Sequence, residues 1–147
     1  MSDCLLNWDK QTVELSFNED GIDSSFSFNQ GDIPGFNEIG DSGSYASFVY
    51  DDSDNRIGSS ESSFEVVQAL EDGTFLADAV QSFNFGNGNT ITIEGQLNVQ
   101  DFEALEVARL PIVEGSGIYD NARGYGLLQQ QELGVFDVIG VELQIVV

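Results

Sequence analysis

The fold is decided by residues 110–128, which read LPIVEGSGIYDNARGYGLL. The segment begins as an apolar strand, and Gly115 and Gly117 then indicate a tight turn, because glycine takes positive φ without steric cost. A second strand follows, in which Gly124 and Gly126 lie two residues apart and therefore on one face. A glycine pair on one face is typical of a barrel bend or a close backbone approach. The pattern favours a structural role for the glycines over a phosphate-binding loop, since no Lys-Ser/Thr follows them and no helical pattern opens after them.

Length and charge limit the class of protein. The chain has 147 residues, which predicts a single domain with one sizeable core. It carries 26 Asp and Glu against 4 Lys and Arg, a formal net charge of -22. Such a field repels nucleic acid and anionic membranes, so we expect neither as a partner. Solubility or adaptation to high salt explains the acidity, and a 41% hydrophobic content argues against disorder.

The scarcity of thiol and imidazole groups excludes several site types. The chain has one cysteine, Cys4, and no histidine. An internal disulfide, a structural zinc site, a Ser-His-Asp triad and a Cys-His dyad are therefore not available. The acidic turn at residues 51–55 lacks the glycine and the distal Glu of an EF-hand, which favours a solvated turn over a calcium site. We expect no metal and no cofactor.

The sequence has no recognisable targeting signal. The first residues carry no positive region, and no apolar run approaches the roughly 18 residues that span a bilayer. A cytoplasmic location is the default expectation.

Alternation of apolar and polar residues predicts a series of short strands separated by Gly, Asp and Asn turns. The first strand carries Val13, Leu15 and Phe17 on one face and is predicted to end in a turn at residues 18–21. We expect eight or nine strands joined mostly by hairpins, and hence an all-β antiparallel barrel. It spans residues 1–147, with about residues 1–9 as a lead-in. A barrel of eight strands has either a packed interior or space for one small ligand.

Two segments are less regular. Residues 29–41 are predicted as a long loop at the rim, because glycines and a proline lie among polar residues. Residues 99–110 fit both a helical spacing and a strand alternation. We predict a strand that ends at Pro111, preceded by no more than one helical turn.

The segment 110–128 resembles the allene oxide cyclase and dirigent barrels, in which an apolar strand meets a Gly-Gly-Thr/Ser-Gly turn, an aromatic residue and then a glycine. Two upstream segments agree with this likeness, YDDSDNRIG at 50–58 and FNFGNGNTITIEG at 83–95. The spacing of Tyr45 and Tyr50 before Ile-Gly-Ser is also similar to small bacterial barrels that close spirotetronate polyketides by Diels–Alder cycloaddition. That second likeness is the closer in length and in the first half of the chain. The plant members are trimers, so the resemblance implies a homo-oligomer, a dimer or a trimer.

The chain departs from the plant enzymes at two positions. Plant allene oxide cyclases carry Asn where this chain has Ser47 and Cys where it has Phe64. The polar set that acts there on an epoxide is missing, so we do not expect jasmonate-type chemistry.

We therefore expect a cofactor-independent cyclase or isomerase, of Diels–Alder type as the resemblance implies, acting on an apolar natural-product intermediate inside the barrel. Folding a flexible polyene into a near-attack conformer supplies much of the acceleration, so little acid-base chemistry is needed. The predicted catalytic residues are Tyr45 and Gln81. The predicted substrate-binding residues are Ser47, Phe64, Phe75, Phe83, Leu128 and Gln130, of which the polar members would bind a carbonyl.

Two other functions remain open at this point. A dirigent-like or lipocalin-like binding protein would hold a small apolar ligand in the same pocket without turnover, and the Phe residues also fit simple core. A structural module would assemble through an apolar outer face formed by Leu127, Val135, Ile139 and Val141.

Overall fold

The computed structural model describes residues 12–27, 38–133 and 135–147, and for residues 135–137 it describes the backbone only. The elements in chain order are β1 (Thr12–Ser27), β2 (Ser42–Tyr50), β3 (Arg56–Ala69), β4 (Phe75–Asn84), β5 (Thr90–Asn98), the short helix α1 (Val99–Glu103), β6 (Ala108–Ser116), a 3-10 helix (Gly117–Tyr119), β7 (Arg123–Glu132) and β8 (Val135–Val146).

The eight strands form a closed antiparallel barrel in which each strand pairs with its neighbours in sequence. β8 closes the barrel against β1, with Leu15 opposite Leu143 and Phe17 opposite Val141. The predicted all-β barrel is confirmed, with eight strands. The part of the predicted rim loop at residues 29–37 lies outside the described residues.

The connections divide the barrel into two ends. We call the end that contains α1 and the β3–β4 turn at residues 70–74 the helical end, and the end that contains the turns at 51–55 and 85–89 the opposite end. Within the described residues no helix is long and apolar enough to cross a bilayer.

Side chains alternate between the barrel interior and its surface, as strand geometry requires. The interior residues Ile91, Ile93, Leu143 and Ile145 have no exposed surface, whereas Thr92, Glu142 and Gln144 between them are partly or wholly exposed. The predicted site residues Tyr45 on β2, Phe64 on β3 and Gln81 on β4 lie on the inner faces of this barrel.

The glycines of the segment 110–128 permit close backbone contact. A Cβ at Gly115 would lie 2.1 Å from the carbonyl oxygen of Tyr119, and one at Gly124 would lie 1.9 Å from that of Gln144. Gly124 also has a φ of +127°, which L side chains rarely adopt. The close approach predicted from the glycine spacing is therefore confirmed.

Three sequence predictions are wrong. Residues 18–21 are not a turn, because β1 continues through them to Ser27 and changes register between Gly21 and Asp23. β6 does not end at Pro111 but runs on to Ser116, after one turn of helix at α1. Ile139 and Val141 do not form an outer face; they alternate with Gly140 and Glu142 and belong to the buried core.

Candidate functional site

The barrel interior is filled with aromatic rings toward the opposite end. Phe17 meets the rings of Phe83 and Phe85 edge-on, with centroids 5.2 and 5.7 Å apart. Tyr119 packs against Phe85 with centroids 5.8 Å apart. Such edge-to-face contacts add to the burial of large apolar surface. The interior toward this end of the barrel is therefore a packed core.

A buried carboxyl group lies next to the aromatic residues. Glu19 follows Phe17 by two residues on β1, so it faces the interior, and its side chain is only 1% exposed. Its Oε1 accepts hydrogen bonds from Ser60 Oγ on β3 and from Gln81 Nε2 on β4. Three strands therefore meet at one carboxyl oxygen.

Burial determines the protonation of Glu19. Desolvation raises the pKa of this carboxyl from 4.5 to about 7, and the hydrogen bonds from Ser60 and Gln81 oppose the rise by stabilising the carboxylate. The group therefore exchanges its proton near neutral pH, where it is available both as an acid and as a base.

Several interior oxygens lack a hydrogen-bond partner among the described residues. They are Glu19 Oε2, Ser47 Oγ, Ser62 Oγ and Gln130 Oε1. Buried polar atoms are nearly always paired in native proteins, so unpaired ones are candidate contacts for a polar ligand group. We call the set Glu19, Ser47, Ser60, Ser62, Gln81 and Gln130 the polar layer.

An apolar cavity lies between the polar layer and the helical end. Its volume is about 60 Å³, and Ser62 and Gln81 of the polar layer form part of its wall. The rest of the wall includes Tyr45, Phe64, Leu97, Phe102, Leu110 and Leu128. Small-molecule sites usually measure about 300 to 1,000 Å³, so side chains must move to admit a larger ligand. Phe26, which is 43% exposed and lines the same cavity, is one that can do so.

Two larger depressions, of about 460 and 430 Å³, lie on the outer face of β1–β4. Both are lined by the exposed residues Ser25 and Ser44 and are open to solvent. Ligand sites are concave and mostly apolar. The interior cavity is therefore the better candidate despite its smaller volume.

Glu103 forms part of the cavity wall at the helical end. It is the last residue of α1, is partly buried, and has a pKa raised by desolvation. α1 is held in place at its first turn, where Asn98 Oδ1 accepts a hydrogen bond from the Asp101 backbone N–H at 3.1 Å. Asn98 Nδ2 also donates to Thr74 Oγ1 at 2.8 Å, which joins α1 to the β3–β4 turn.

The structure places four of the eight predicted site residues at the cavity, namely Tyr45, Gln81, Phe64 and Leu128. Ser47 and Gln130 are buried in the polar layer, and Gln130 Nε2 donates to the Glu132 carbonyl oxygen. Phe83 belongs to the aromatic packing, and Phe75 packs in a small cluster with Val66, Ala77 and Val99. The functional roles of all eight residues stay predictions.

Sequence reasoning missed Glu19, Ser60, Ser62 and Glu103. The alternation of Val13, Leu15 and Phe17 extends to Glu19, which was the available signal. The inward position of Glu19 was missed because the composition of residues 18–21 is typical of a turn. Ser60 and Ser62 were on the correct face but were read only as small residues.

The comparisons with known proteins agree with this architecture. The sequence signature of the allene oxide cyclase barrel-like domain matches residues 22–135. The chain belongs to this family. No curated protein matches the sequence.

Solved structures of similar fold include two Diels–Alderases and a dirigent protein. AbnU, an exo-specific intermolecular Diels–Alderase, has a TM-score of 0.79 at 20% identity, over 95% of this chain and 99% of its own. The Diels–Alderase AbmU from Streptomyces koyangensis has a TM-score of 0.75 at 15% identity, over 98% of this chain and 72% of its own. A pterocarpan synthase dirigent protein has a TM-score of 0.70 at 13% identity, over 95% and 89%. These likenesses show that the allene oxide cyclase-like barrel is shared.

Proposed function

We propose that this protein is a cofactor-independent cyclase that closes a ring in an apolar natural-product intermediate bound inside the barrel. The observation that carries the proposal is an apolar cavity whose wall includes the Ser62 hydroxyl and the Gln81 amide, of which the amide is held by the buried Glu19 carboxyl. Its resemblance in fold to Diels–Alderases supports the ring-closing reaction class. The protein works on its own in this scheme or as a homo-oligomer, without nucleic acid or membrane.

The apolar part of the cavity wall provides the larger part of the rate acceleration in this scheme. Rings such as Tyr45, Phe64 and Phe102 exclude water and leave a flexible polyene few conformations. Holding the two reacting ends in contact removes much of the entropic barrier to cycloaddition.

The polar residues of the cavity wall provide the remaining rate acceleration. We assign the Ser62 hydroxyl and the Tyr45 phenol, both on residues of the cavity wall, the role of hydrogen-bond donors to a carbonyl conjugated with one reacting double bond. Such a donor stabilises the charge that develops on the carbonyl oxygen in the transition state. Gln81 Nε2 is engaged by Glu19, so we assign Glu19 and Ser60 the role of fixing the Gln81 amide against the cavity.

A second candidate function is a carrier that holds the same ligand unchanged. The observation that favours it is that Ser60 and Gln81 both donate to Glu19, which leaves few polar groups for the ligand. A carrier function is also supported by the similarity in fold to a dirigent protein.

Turnover separates the two functions. Small molecules extracted from the protein, isolated from cells that make it, are incubated with fresh protein and followed by liquid chromatography and mass spectrometry. A cyclase changes the retention of a ligand at constant mass, whereas a carrier returns it unaltered. Ser62→Ala and Tyr45→Phe should each slow the conversion about tenfold or more, as the loss of one oxyanion donor does. Ser16→Ala, at an exposed position on β1 away from the cavity, is the matched control and should leave the rate unchanged.

A further inference from the structure

The charges around the cavity all have one sign. Glu103 forms part of the wall, and Glu19 lies behind Gln81. No Lys or Arg of the described residues lines the cavity. A ligand that enters from the helical end therefore passes one carboxyl group and approaches a second.

The cations that the structure describes are on the surface. Arg56, Arg109 and Arg123 are all exposed. The Arg56 guanidinium lies 3.4 Å from the centroid of the Phe48 ring, and that of Arg109 lies 3.8 Å from the Tyr125 centroid. These cation–π contacts hold both side chains against the outer wall. Lys10, the remaining cation, lies outside the described residues.

An anionic ligand would be disfavoured by both solvation and charge. An anion that leaves water for an apolar wall loses its hydration, and only a cation or several donors can offset that cost. Glu103 is partly buried, so its charge is screened less than that of a surface carboxylate. Like charges at short range repel each other, so the Glu103 carboxylate weakens the binding of an anion in the cavity.

We propose that the cavity selects ligands without negative charge, and that Glu103 is the specificity-determining residue: a neutral or cationic apolar molecule enters, and the same molecule bearing a carboxylate or sulfonate is rejected. The proposal rests on the proposed function in one respect, that the cavity is the ligand site. This selection narrows the substrate class to intermediates that have no free acid group, either because the acid is esterified or part of a lactone or because it is absent.

Two fluorescent probes that differ by one sulfonate test this selection. One is N-phenyl-1-naphthylamine, which is neutral. The other is 1-anilinonaphthalene-8-sulfonate, which has the same naphthyl and phenyl groups and carries the sulfonate. The wild-type protein should bind the sulfonate roughly tenfold or more weakly than the neutral probe, a difference typical of close like charges. Ala79→Trp, which fills the cavity, should abolish binding of the neutral probe.

Variants of single carboxylates assign the effect to its source. Glu103→Gln should raise the affinity for the sulfonate about threefold or more and leave that for the neutral probe within about twofold, since only the local charge changes. Glu103→Asp should keep the wild-type selection. Glu114→Gln makes the same change in net charge at an exposed position on β6, and should affect neither probe.

The outcomes are distinct. Equal affinity of the wild-type protein for both probes would overturn the selection while leaving the proposed function intact. An equal effect of Glu114→Gln and Glu103→Gln would remove Glu103 as its source and assign the discrimination to overall charge. Failure of the neutral probe to bind, or its unchanged binding to Ala79→Trp, would overturn the cavity as the ligand site and the proposed function with it.

Discussion

The Glu19 carboxyl is buried beside Ser60 and Gln81, and desolvation raises its pKa from 4.5 to about 7. The folded protein therefore binds this proton more tightly than the unfolded chain does. The contribution of Glu19 to stability is fully present below about pH 4.5 and is lost as the pH rises through about 7.

Glu19→Gln should remove this part of the pH dependence. We expect the free energy of unfolding of the wild-type protein to fall between about pH 5 and pH 8 by roughly 2 to 3 kcal/mol more than that of the variant. Urea titrations at both pH values measure the difference. Glu61→Gln, on the exposed face of β3, should behave like the wild type. Parallel pH profiles for wild type and Glu19→Gln would show that the carboxyl has an ordinary pKa.

Gly124 is a second residue whose identity is fixed by its surroundings. A Cβ there would lie 1.9 Å from the Gln144 carbonyl oxygen, and its φ is +127°. Gly124→Ala should destabilise the fold by about 3 kcal/mol or more, since both steric overlap and backbone strain act on it. Gly73→Ala is the control for backbone strain alone, because Gly73 has a φ of +86° and no atom within 4 Å of an added Cβ. It should cost about 1 kcal/mol. Equal losses in urea titrations of the two variants would contradict the close approach.

Among the elements, α1 contributes as many residues to the cavity wall as β3 or β4, namely Val99, Phe102 and Glu103. Asn98 caps this helix and binds Thr74, so Asn98→Ala should cost about 1 kcal/mol of stability. It should also weaken binding of N-phenyl-1-naphthylamine, because the wall loses its fixed position. Asn98→Asp keeps the capping acceptor and should restore most of the stability. If Asn98→Ala alters stability but not probe affinity, α1 does not shape the binding site.

The strands show which features of the barrel the sequence pattern predicts and which it does not. Alternation shows which residues of β2, β3 and β4 share a face, because side chains point to opposite faces of a strand in turn, but it does not show which face points inward. It failed at residues 18–21, where Asn, Glu, Asp and Gly are typical turn formers. Pairing of that segment with both β2 and β8 overrides local preference and carries Glu19 into the core. At β8 the prediction chose the wrong face, although Glu142 and Gln144 alternate with the core residues Val141 and Leu143.

The candidate site was harder to predict than the strands. Four predicted residues meet at the cavity because they lie on inner strand faces. Strand parity does not give depth along the barrel axis, so Phe83 and Phe75 were assigned to the pocket although they belong to packed clusters on either side of it. A carboxyl such as Glu103, placed by a five-residue helix, has no periodic signal at all.

The whole molecule carries a net charge of -22, which opposes the compact state through self-repulsion. We expect the urea midpoint to rise as NaCl increases from about 0.05 to about 1 M, because the Debye length falls from well over 10 Å to about 3 Å. Sorbitol is an uncharged control that does not screen the carboxylates, and at the same osmolality it should raise the urea midpoint less than NaCl does. A midpoint that does not respond to salt would show that the carboxylates are not a net cost to folding.

The central claim is that ligands bind inside the barrel, at the cavity between the polar layer and the helical end. A crystal structure with N-phenyl-1-naphthylamine tests it most directly, because the outer depressions offer alternative places of larger volume. We predict electron density for the probe between Tyr45, Phe64 and Leu128, with its amine facing Ser62. Density confined to the outer face beside Ser25 and Ser44 would contradict the claim and would make the interior a packed core.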